Sequence, residues 1–225
     1  MIGQGGVNFL SCGMRLSFLF LACSLSVSAH AGSCQFVWSL SGLGMNLGQA
    51  VDQVVYEPDR IKVHSVFSVN QGLAFLGVKN VQRSFEIEPQ AGKVTTQELQ
   101  VAKKESRVEW LVDKTTYTKK TGGVVEQVFE LPAVKGPSMD STMFPYSIWM
   151  GLLKPNDTII RVLNKTAPYE AQIAYKKTNS GAELVFKNEH KEGWVQLDAQ
   201  QMPTAFTFYD GSKTAKAVLT SKTCR

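Results

Sequence analysis

The sequence predicts an all-β fold, a mostly antiparallel meander that forms a curved sheet, an open barrel or a sandwich, with one helix near residues 141–153. Apolar and polar residues alternate with a period of two over many short segments, as they do in strands with one buried face. Glycine, proline and asparagine separate these segments, which is typical of hairpin turns. Hydrophobic residues make up 44% of the chain and charged residues 19%, a balance that supports a packed core rather than disorder.

The first 31 residues have the pattern of a cleaved signal peptide. Arg15 precedes a short apolar run at 16–22, and the small residues that follow end in Ala29-His30-Ala31, a cleavage site of the A-x-A form. The apolar run is too short to span a bilayer, which needs about 20 residues. We therefore expect export to the periplasm, cleavage after Ala31, and no transmembrane segment in the mature chain.

Two features of this leader leave alternatives open. Residues 1–13 carry no charge and add nothing that an export signal needs, so the true start could be Met14. Lipidation at Cys23 would instead make the protein an outer-membrane lipoprotein, although Phe20 stands where such sites normally have leucine. With cleavage after Ala31, residues 32–225 form one domain, because nothing within them has the composition of a linker.

The mature chain keeps two cysteines, Cys34 and Cys224, close to its two ends. Because the periplasm is oxidising, an even pair of cysteines in an exported protein favours a disulfide. In the chain-entropy model, closing so long a loop removes on the order of 4–5 kcal/mol of unfolded-state entropy. Two unrelated free thiols are the alternative.

The alternating segments predict the strands of the sheet in chain order. In Ile61–Val69 the odd-numbered residues are mostly apolar and the even-numbered ones mostly polar, which suits one face to a core. Asp210-Gly211 lies between two such segments and indicates a tight hairpin, because glycine tolerates positive φ. The segments predicted as strands are 61–69, 84–88, 108–113, 115–118, 124–131, 158–163, 170–176, 183–187, 194–198, 204–209 and 214–220.

One segment departs from this alternation and predicts the single helix. Asp140 or Ser141 can cap a helix that runs over residues 141–153. Pro145 is compatible with such a helix only in its first turn. The apolar residues spaced i, i+4, i+8 on one stripe of this helix are Phe144, Ile148 and Leu152.

The same segment supplies the candidate binding site. It is bulky and apolar on several faces, which favours either core packing of helix on sheet or the lining of a concave cavity. Methionine also suits adaptable binding surfaces. If the segment lines a cleft for a lipid or another apolar ligand, the residues expected there are Met143, Phe144, Ile148, Trp149 and Leu152.

The order of several short motifs is also informative. They are a strand at 36–40 followed by the glycine-rich stretch 42–48, then Val108-Glu109-Trp110, Met139-Asp140-Ser141, 194–198, Met202-Pro203 and Asp210-Gly211. In this order the chain resembles DUF3108, a family of exported bacterial proteins of unknown function, over nearly the whole mature region. The resemblance implies a β-rich, export-targeted domain and supplies no catalytic residues.

Motifs for catalysis, metals and cofactors are missing from the sequence. The mature chain has only His64 and His190, and neither H-E-x-x-H nor a paired C-x-x-C. There is no G-x-S-x-G nucleophile elbow, and Gly42-x-Gly44 lacks the third glycine of a dinucleotide-binding fingerprint. We therefore expect no catalytic residues, no metal, no cofactor and no enzymatic activity.

Charge argues against nucleic acid as a partner. Without residues 1–31 the chain has 23 basic and 19 acidic residues, a net charge of +4, whereas nucleic-acid-binding domains concentrate basic charge far more strongly.

Together, these features of the sequence favour a non-enzymatic periplasmic protein that binds an apolar envelope molecule. The alternative is a structural or assembly partner in an envelope complex, pairing through an exposed strand edge. An enzyme whose site is assembled only in three dimensions is the third interpretation.

Overall fold

A computed structural model describes residues 32–70, 80–88, 93–101, 106–113, 116–130, 136–140, 143–163, 168–189, 191–211 and 213–225. The signal peptide predicted for residues 1–31, with its alternatives at Met14 and Cys23, lies outside the described residues, and so do Ser141 and His190.

Within those ranges, fifteen strands form one open sheet. The prediction of an all-β, mostly antiparallel fold is therefore confirmed. In chain order the strands are β1 (Gly32–Gly42), β2 (Met45–Tyr56), β3 (Ile61–Val69), β4 (Asn80–Glu88), β5 (Lys93–Val101), β6 (Ser106–Asp113), β7 (Thr116–Thr121), β8 (Val124–Glu130), β9 (Ser138–Asp140), β10 (Ile159–Leu163), β11 (Tyr169–Thr178), β12 (Gly181–Lys187), β13 (Lys191–Leu197), β14 (Pro203–Asp210) and β15 (Lys213–Cys224).

Two meanders join side by side to make this sheet. The strand order is β8-β7-β6-β5-β4-β3-β2-β1-β15-β14-β13-β12-β11-β10-β9, so that the first and last strands are antiparallel neighbours at its centre. Only β9 and β10 pair in parallel among the described strands. The sheet curves strongly, because β9 at one edge contacts β5, the fourth strand counted from the other edge.

A disulfide links the two central strands near their ends. Cys34 on β1 and Cys224 on β15 are register partners, their Cα atoms are 4.1 Å apart, and their sulfur atoms are bonded. The pairing predicted from the sequence is confirmed. Backbone hydrogen bonds between Ser33 and Arg225 flank the bridge in both directions, so the start of β1 and the end of β15 are held together by covalent and hydrogen bonds.

The helix predicted over residues 141–153 is wrong. Phe144–Tyr146 form one turn of 3₁₀ helix, and the residues after it continue as irregular turns to Leu153. Pro145 has no N–H group to donate to a helical hydrogen bond, and Gly151 has a φ of +69°, which interrupts a right-handed helix. We call residues 143–153 the connecting segment, since it joins β9 to β10.

Aromatic side chains of the connecting segment contact two different parts of the sheet. Phe36 on β1 lies 5.0 Å from the ring of Tyr146 and 5.6 Å from that of Trp149. Phe144 turns the other way and lies 4.5 Å from Phe186 on β12. The segment therefore contributes to two apolar clusters, one on the half of the sheet around β1–β7 and one on β9–β14.

Candidate functional site

A cavity of about 290 Å³ lies on the core-facing side of the sheet beside the connecting segment. Neighbouring strands from β14 through β15, β1, β2 and β3 to β4 form its wall, and Pro145 and Tyr146 lie over it. The apolar residues of the lining are Trp38, Leu40, Ala50, Phe67, Val81, Pro145, Phe206 and Ala217. A mostly apolar, concave surface of this kind is typical of small-molecule sites.

Strand register explains why these residues meet. Residues that are paired across strands point to the same side of the sheet. Trp38 pairs with Ala50, Ala50 with Phe67, and Phe67 with Val81. An apolar row thus crosses four strands and forms the floor of the cavity.

A polar row runs beside this apolar row, displaced by two residues along each strand. Asp52 on β2 pairs with Ser65 on β3, Ser65 pairs with Arg83 on β4, and Arg83 pairs with Glu98 on β5. We call these four residues the polar row. Asp52, Ser65 and Arg83 line the cavity, so it combines an apolar floor with one polar margin.

Asp52 ends a chain of buried hydrogen bonds at this margin. Trp38 Nε1 donates to the hydroxyl of Tyr146 at 2.9 Å, and that hydroxyl donates to Oδ2 of Asp52 at 2.5 Å. Among the residues that the structure describes, Oδ1 of Asp52 has no hydrogen-bond partner, although the hydroxyl of Ser65, its register partner, lies close enough to favour the ionised carboxylate. One acceptor of a buried carboxylate is therefore left for another group.

Burial raises the pKa of Asp52 above its ordinary value, because the folded chain removes the carboxylate from water. The nearby hydroxyl of Ser65, the hydrogen bond from Tyr146 and the indole N–H of Trp38 oppose this effect, because each favours the ionised form. The pKa of the Tyr146 hydroxyl is raised as well. Its pKa is raised well above the usual range, by burial first and by the neighbouring Asp52 second.

Arg83 is held by two carboxylates at the other end of the polar row. It forms an ion pair with Glu98, which is 1% exposed, and a longer one of 3.8 Å with Asp140 on β9. Burial alone would lower the pKa of Arg83, but Asp140 and Glu98 together raise it. The positive charge beside the cavity is therefore compensated within the protein, and the same contacts join β9 to β4 and β5.

The structure distributes the five sequence-predicted cleft residues between the two clusters of the core. Met143 and Phe144 are buried, and the remaining three are partly buried. Met143, Trp149 and Leu152 belong to the first cluster, whereas Phe144 and Ile148 belong to the second. None of the five is among the cavity-lining residues named above; their neighbours Pro145 and Tyr146 are. A ligand contact for the five stays a prediction.

Sequence reasoning missed the polar row, although a signal for it was present. Ser65 and Arg83 occupy inward positions of strands whose other inward residues, such as Val63 and Phe85, are apolar and buried. Asp52 interrupts the inward residues of β2 in the same way, between Ala50 and Val54. A polar residue on the apolar face of an alternating strand marks a buried polar contact, because burying such a group without a partner is unfavourable.

His64 lies away from this cavity. It is exposed on the opposite face of β3, where its Nδ1 is 3.0 Å from Oγ of Ser84. Among the residues that the structure describes, no group of three or more His, Cys, Asp or Glu side chains is arranged to hold a metal ion. The described segments also include no helix of the length and apolarity that a membrane span requires.

Comparison with known structures supports the fold. The chain is similar to the crystal structure of a beta-barrel-like protein of the domain of unknown function DUF1849 from Brucella abortus, with 9% identity, 87% of this chain and 98% of that chain covered, and a TM-score of 0.57. At this identity the likeness shows a shared fold and says nothing about activity.

A second match is weak. The DNA polymerase III subunit beta from Pseudomonas aeruginosa is 9% identical over 89% of this chain and 59% of that chain, but the TM-score of 0.14 is too low to indicate a shared fold. No protein-family model matches the chain, and the search of curated proteins found no match either.

Proposed function

We propose that this protein is a non-enzymatic binding protein of the bacterial periplasm, whose ligand is a small, largely apolar molecule of the cell envelope. The observation that carries the proposal is the cavity of about 290 Å³ with its apolar floor and single polar margin. Ligand sites commonly combine an apolar lining with a few polar groups that orient the ligand. The cavity is at the lower end of their usual size, roughly 300–1,000 Å³, which favours a single short chain or ring system.

We also propose that the protein is located in the periplasm, belongs to DUF3108 and is cleaved after Ala31. The leader sequence and the motif order support them. The bond between Cys34 and Cys224 is compatible with them, because disulfides persist in oxidising compartments. Native mass spectrometry of the protein, produced with its own leader and purified without detergent, tests all of these at once. It reports the first residue of the mature chain, the oxidation state of the cysteines and any retained ligand.

A cavity-filling variant tests the site itself. Ala50 is buried in the floor of the cavity, so Ala50→Leu should occupy space that a ligand needs. Ala174→Leu on the exposed side of β11 is the matched control. With the neutral fluorescent probe N-phenyl-1-naphthylamine, we expect binding by the wild type and the control and a loss of binding by Ala50→Leu.

Three results would count against this site. They are no probe binding by the wild type, equal binding by all three proteins, or loss of binding by the control. Circular dichroism of each variant separates a blocked cavity from an unfolded chain. If Ala50→Leu does not fold, displacement of the probe from the wild type by unlabelled alkanes and alcohols provides the same test.

The exposed edge of the sheet favours a second candidate function, the assembly of an envelope complex. β8 forms one edge, and Val124, Val125 and Val128 on it are 68%, 51% and 59% exposed. Natural edge strands are usually protected by charged side chains, lysine above all, or by proline; β8 contains no lysine or proline, and its charged residues are Glu126 and Glu130. An extended segment of another envelope protein could pair with this edge through backbone hydrogen bonds.

Crosslinking in cells tests this second candidate. A photo-crosslinker at Val128 should trap one specific protein, and the additional change Val125→Lys should abolish the product. The same crosslinker at Gln196, on the exposed side of the internal strand β13, is the control. A wholly monomeric pool without product, or equal products at both positions, would contradict assembly through β8.

A further inference from the structure

Asp52 has an unused acceptor at the polar margin of the cavity. The residue is only 5% exposed and lines the cavity. Its Oδ2 accepts from Tyr146, while its Oδ1 has no hydrogen-bond partner within the described part of the chain. A buried acceptor left without a full hydrogen bond is unfavourable, so a ligand that supplies a donor there is bound more tightly.

We propose that the ligand is an amphiphile whose polar end is a hydrogen-bond donor, an amine or a hydroxyl group, and that this end binds Oδ1 of Asp52 while the apolar part covers the row from Trp38 to Val81. This inference rests on the proposed function of the cavity. It adds the chemistry of the polar end and separates the ligand from fatty acids, whose carboxylates accept but do not donate.

Several donors around the cavity support this assignment, because they already have acceptors. The indole N–H of Trp38 donates to Tyr146, and the hydroxyl of Tyr146 donates to Asp52. The guanidinium of Arg83 is engaged by Glu98 and Asp140. A ligand carboxylate would therefore compete with internal partners for the indole N–H, the Tyr146 hydroxyl and the paired N–H groups of Arg83, and its oxygen atoms offer no donor to Oδ1 of Asp52.

The polar row also explains why the donor end should lie near β2 and β3 rather than elsewhere in the cavity. Ser65 is the register partner of Asp52 and also lines the cavity, so its hydroxyl can accept a second donor from the same ligand group. Across the floor, the wall consists of Leu40, Phe206, Ala217 and other side chains without polar atoms. The apolar part of an amphiphile fits only there.

Two matched pairs of ligands with ten-carbon chains test the inference on the wild-type mature protein. Decylamine is compared with decanoate, and decanol with decyl methyl ether, because the members of each pair differ in whether the polar end can donate. Each is titrated below its micelle concentration against bound N-phenyl-1-naphthylamine at neutral pH. We expect the donor of each pair to displace the probe at roughly tenfold lower concentration. For the charged pair this preference runs against the net positive charge of the protein.

The variant Asp52→Asn tests whether Asp52 is the group that causes the preference for decylamine. Since Asn cannot carry the negative charge, we expect the preference for decylamine over decanoate to disappear or reverse, while binding of the neutral probe is retained. If the variant does not fold, the comparison of the four ligands on the wild type still decides the question, because it needs no substitution.

The outcomes separate this inference from the function on which it rests. Displacement by none of the four ligands, together with no binding of the probe, overturns the proposed function and the inference with it. Displacement by decanoate or by the ether at concentrations equal to or below those of the donors overturns the donor inference and leaves the binding function intact. A preference for decylamine over decanoate that persists unchanged in Asp52→Asn overturns the role of Asp52.

Discussion

Tyr146 donates a 2.5 Å hydrogen bond to Asp52 across 94 positions of sequence. The bond joins the connecting segment to β2, and both residues are almost fully buried. Trp38 donates to the same hydroxyl, so one oxygen atom links two strands of the sheet to the segment that lies over them. The position of the cavity therefore depends on this contact.

Removal of the hydroxyl in Tyr146→Phe should destabilise the protein by about 1–3 kcal/mol, because it leaves the indole N–H of Trp38 and an oxygen of Asp52 without their buried partner. Urea unfolding of the oxidised protein measures the change. Tyr209→Phe is the matched control, since Tyr209 is 40% exposed and its hydroxyl is accessible to water. Equal stabilities of the two variants would show that the buried hydrogen bonds contribute little.

The variant Asp52→Asn should alter how stability depends on pH. Burial is the largest cause that raises the pKa of Asp52 above 3.8, its ordinary value. The folded chain thus keeps this proton to a higher pH than the unfolded chain does. The bound proton contributes to the free energy of unfolding. This contribution has its full size below pH 3.8 and is lost as the pH rises through the folded-state pKa.

Urea unfolding of both proteins across this pH range checks the sign. The free energy of unfolding of the wild type should fall relative to that of Asp52→Asn as the pH rises above 3.8. Tyr146, Ser65 and Trp38 contact the carboxylate, and His64 lies on the other face of β3. These groups are the same in both proteins, so the difference between the two curves isolates Asp52. Curves that stay parallel would mean that burial does not shift this group.

The double variant Cys34→Ser/Cys224→Ser should lose about 2–5 kcal/mol of stability, the usual consequence of removing a native disulfide. The bridge closes a loop with a sequence separation of 190, so its loss frees most of the unfolded chain. Urea unfolding with and without reductant provides the measurement. Reductant should destabilise the wild type and leave the double variant unchanged; a wild type that is insensitive to reductant would contradict the bridge.

Arg83→Met should destabilise the protein by about 3–5 kcal/mol, because it leaves the buried carboxylate of Glu98 without its cation. The control is Arg60→Met, which removes a surface pair with Glu86 whose side chains are 39% and 38% exposed. Surface pairs contribute about 0–1 kcal/mol. If thermal and urea unfolding show similar losses for both variants, the ion pairs of Arg83 are not the contact that holds β9 against β4 and β5.

Many strands of the fold could be predicted from the sequence, because a strand is recognised from the local alternation of apolar and polar residues. The alternation at Ile61–Val69 matches β3 residue for residue, and Asp210-Gly211 lies at the turn between β14 and β15. β5 was not predicted, because its inward residue Glu98 has the character of a surface residue. Only the structure shows that Glu98 pairs with Arg83. The helix was mispredicted because apolar spacing of i, i+4 also fits a folded turn, whereas Pro145 and the positive φ of Gly151 prevent a regular helix.

The sequence by itself indicated most of the strands, the apolar face of those strands and the two cysteines that pair, because a period of two and an even cysteine count can be read along one chain. Only the tertiary structure decided that Asp52, Ser65 and Arg83 stand side by side and that Tyr146 reaches Asp52. The physical reason is that register and curvature arise from hydrogen bonds and packing between strands that are distant in sequence. The cavity exists where those long-range contacts leave space.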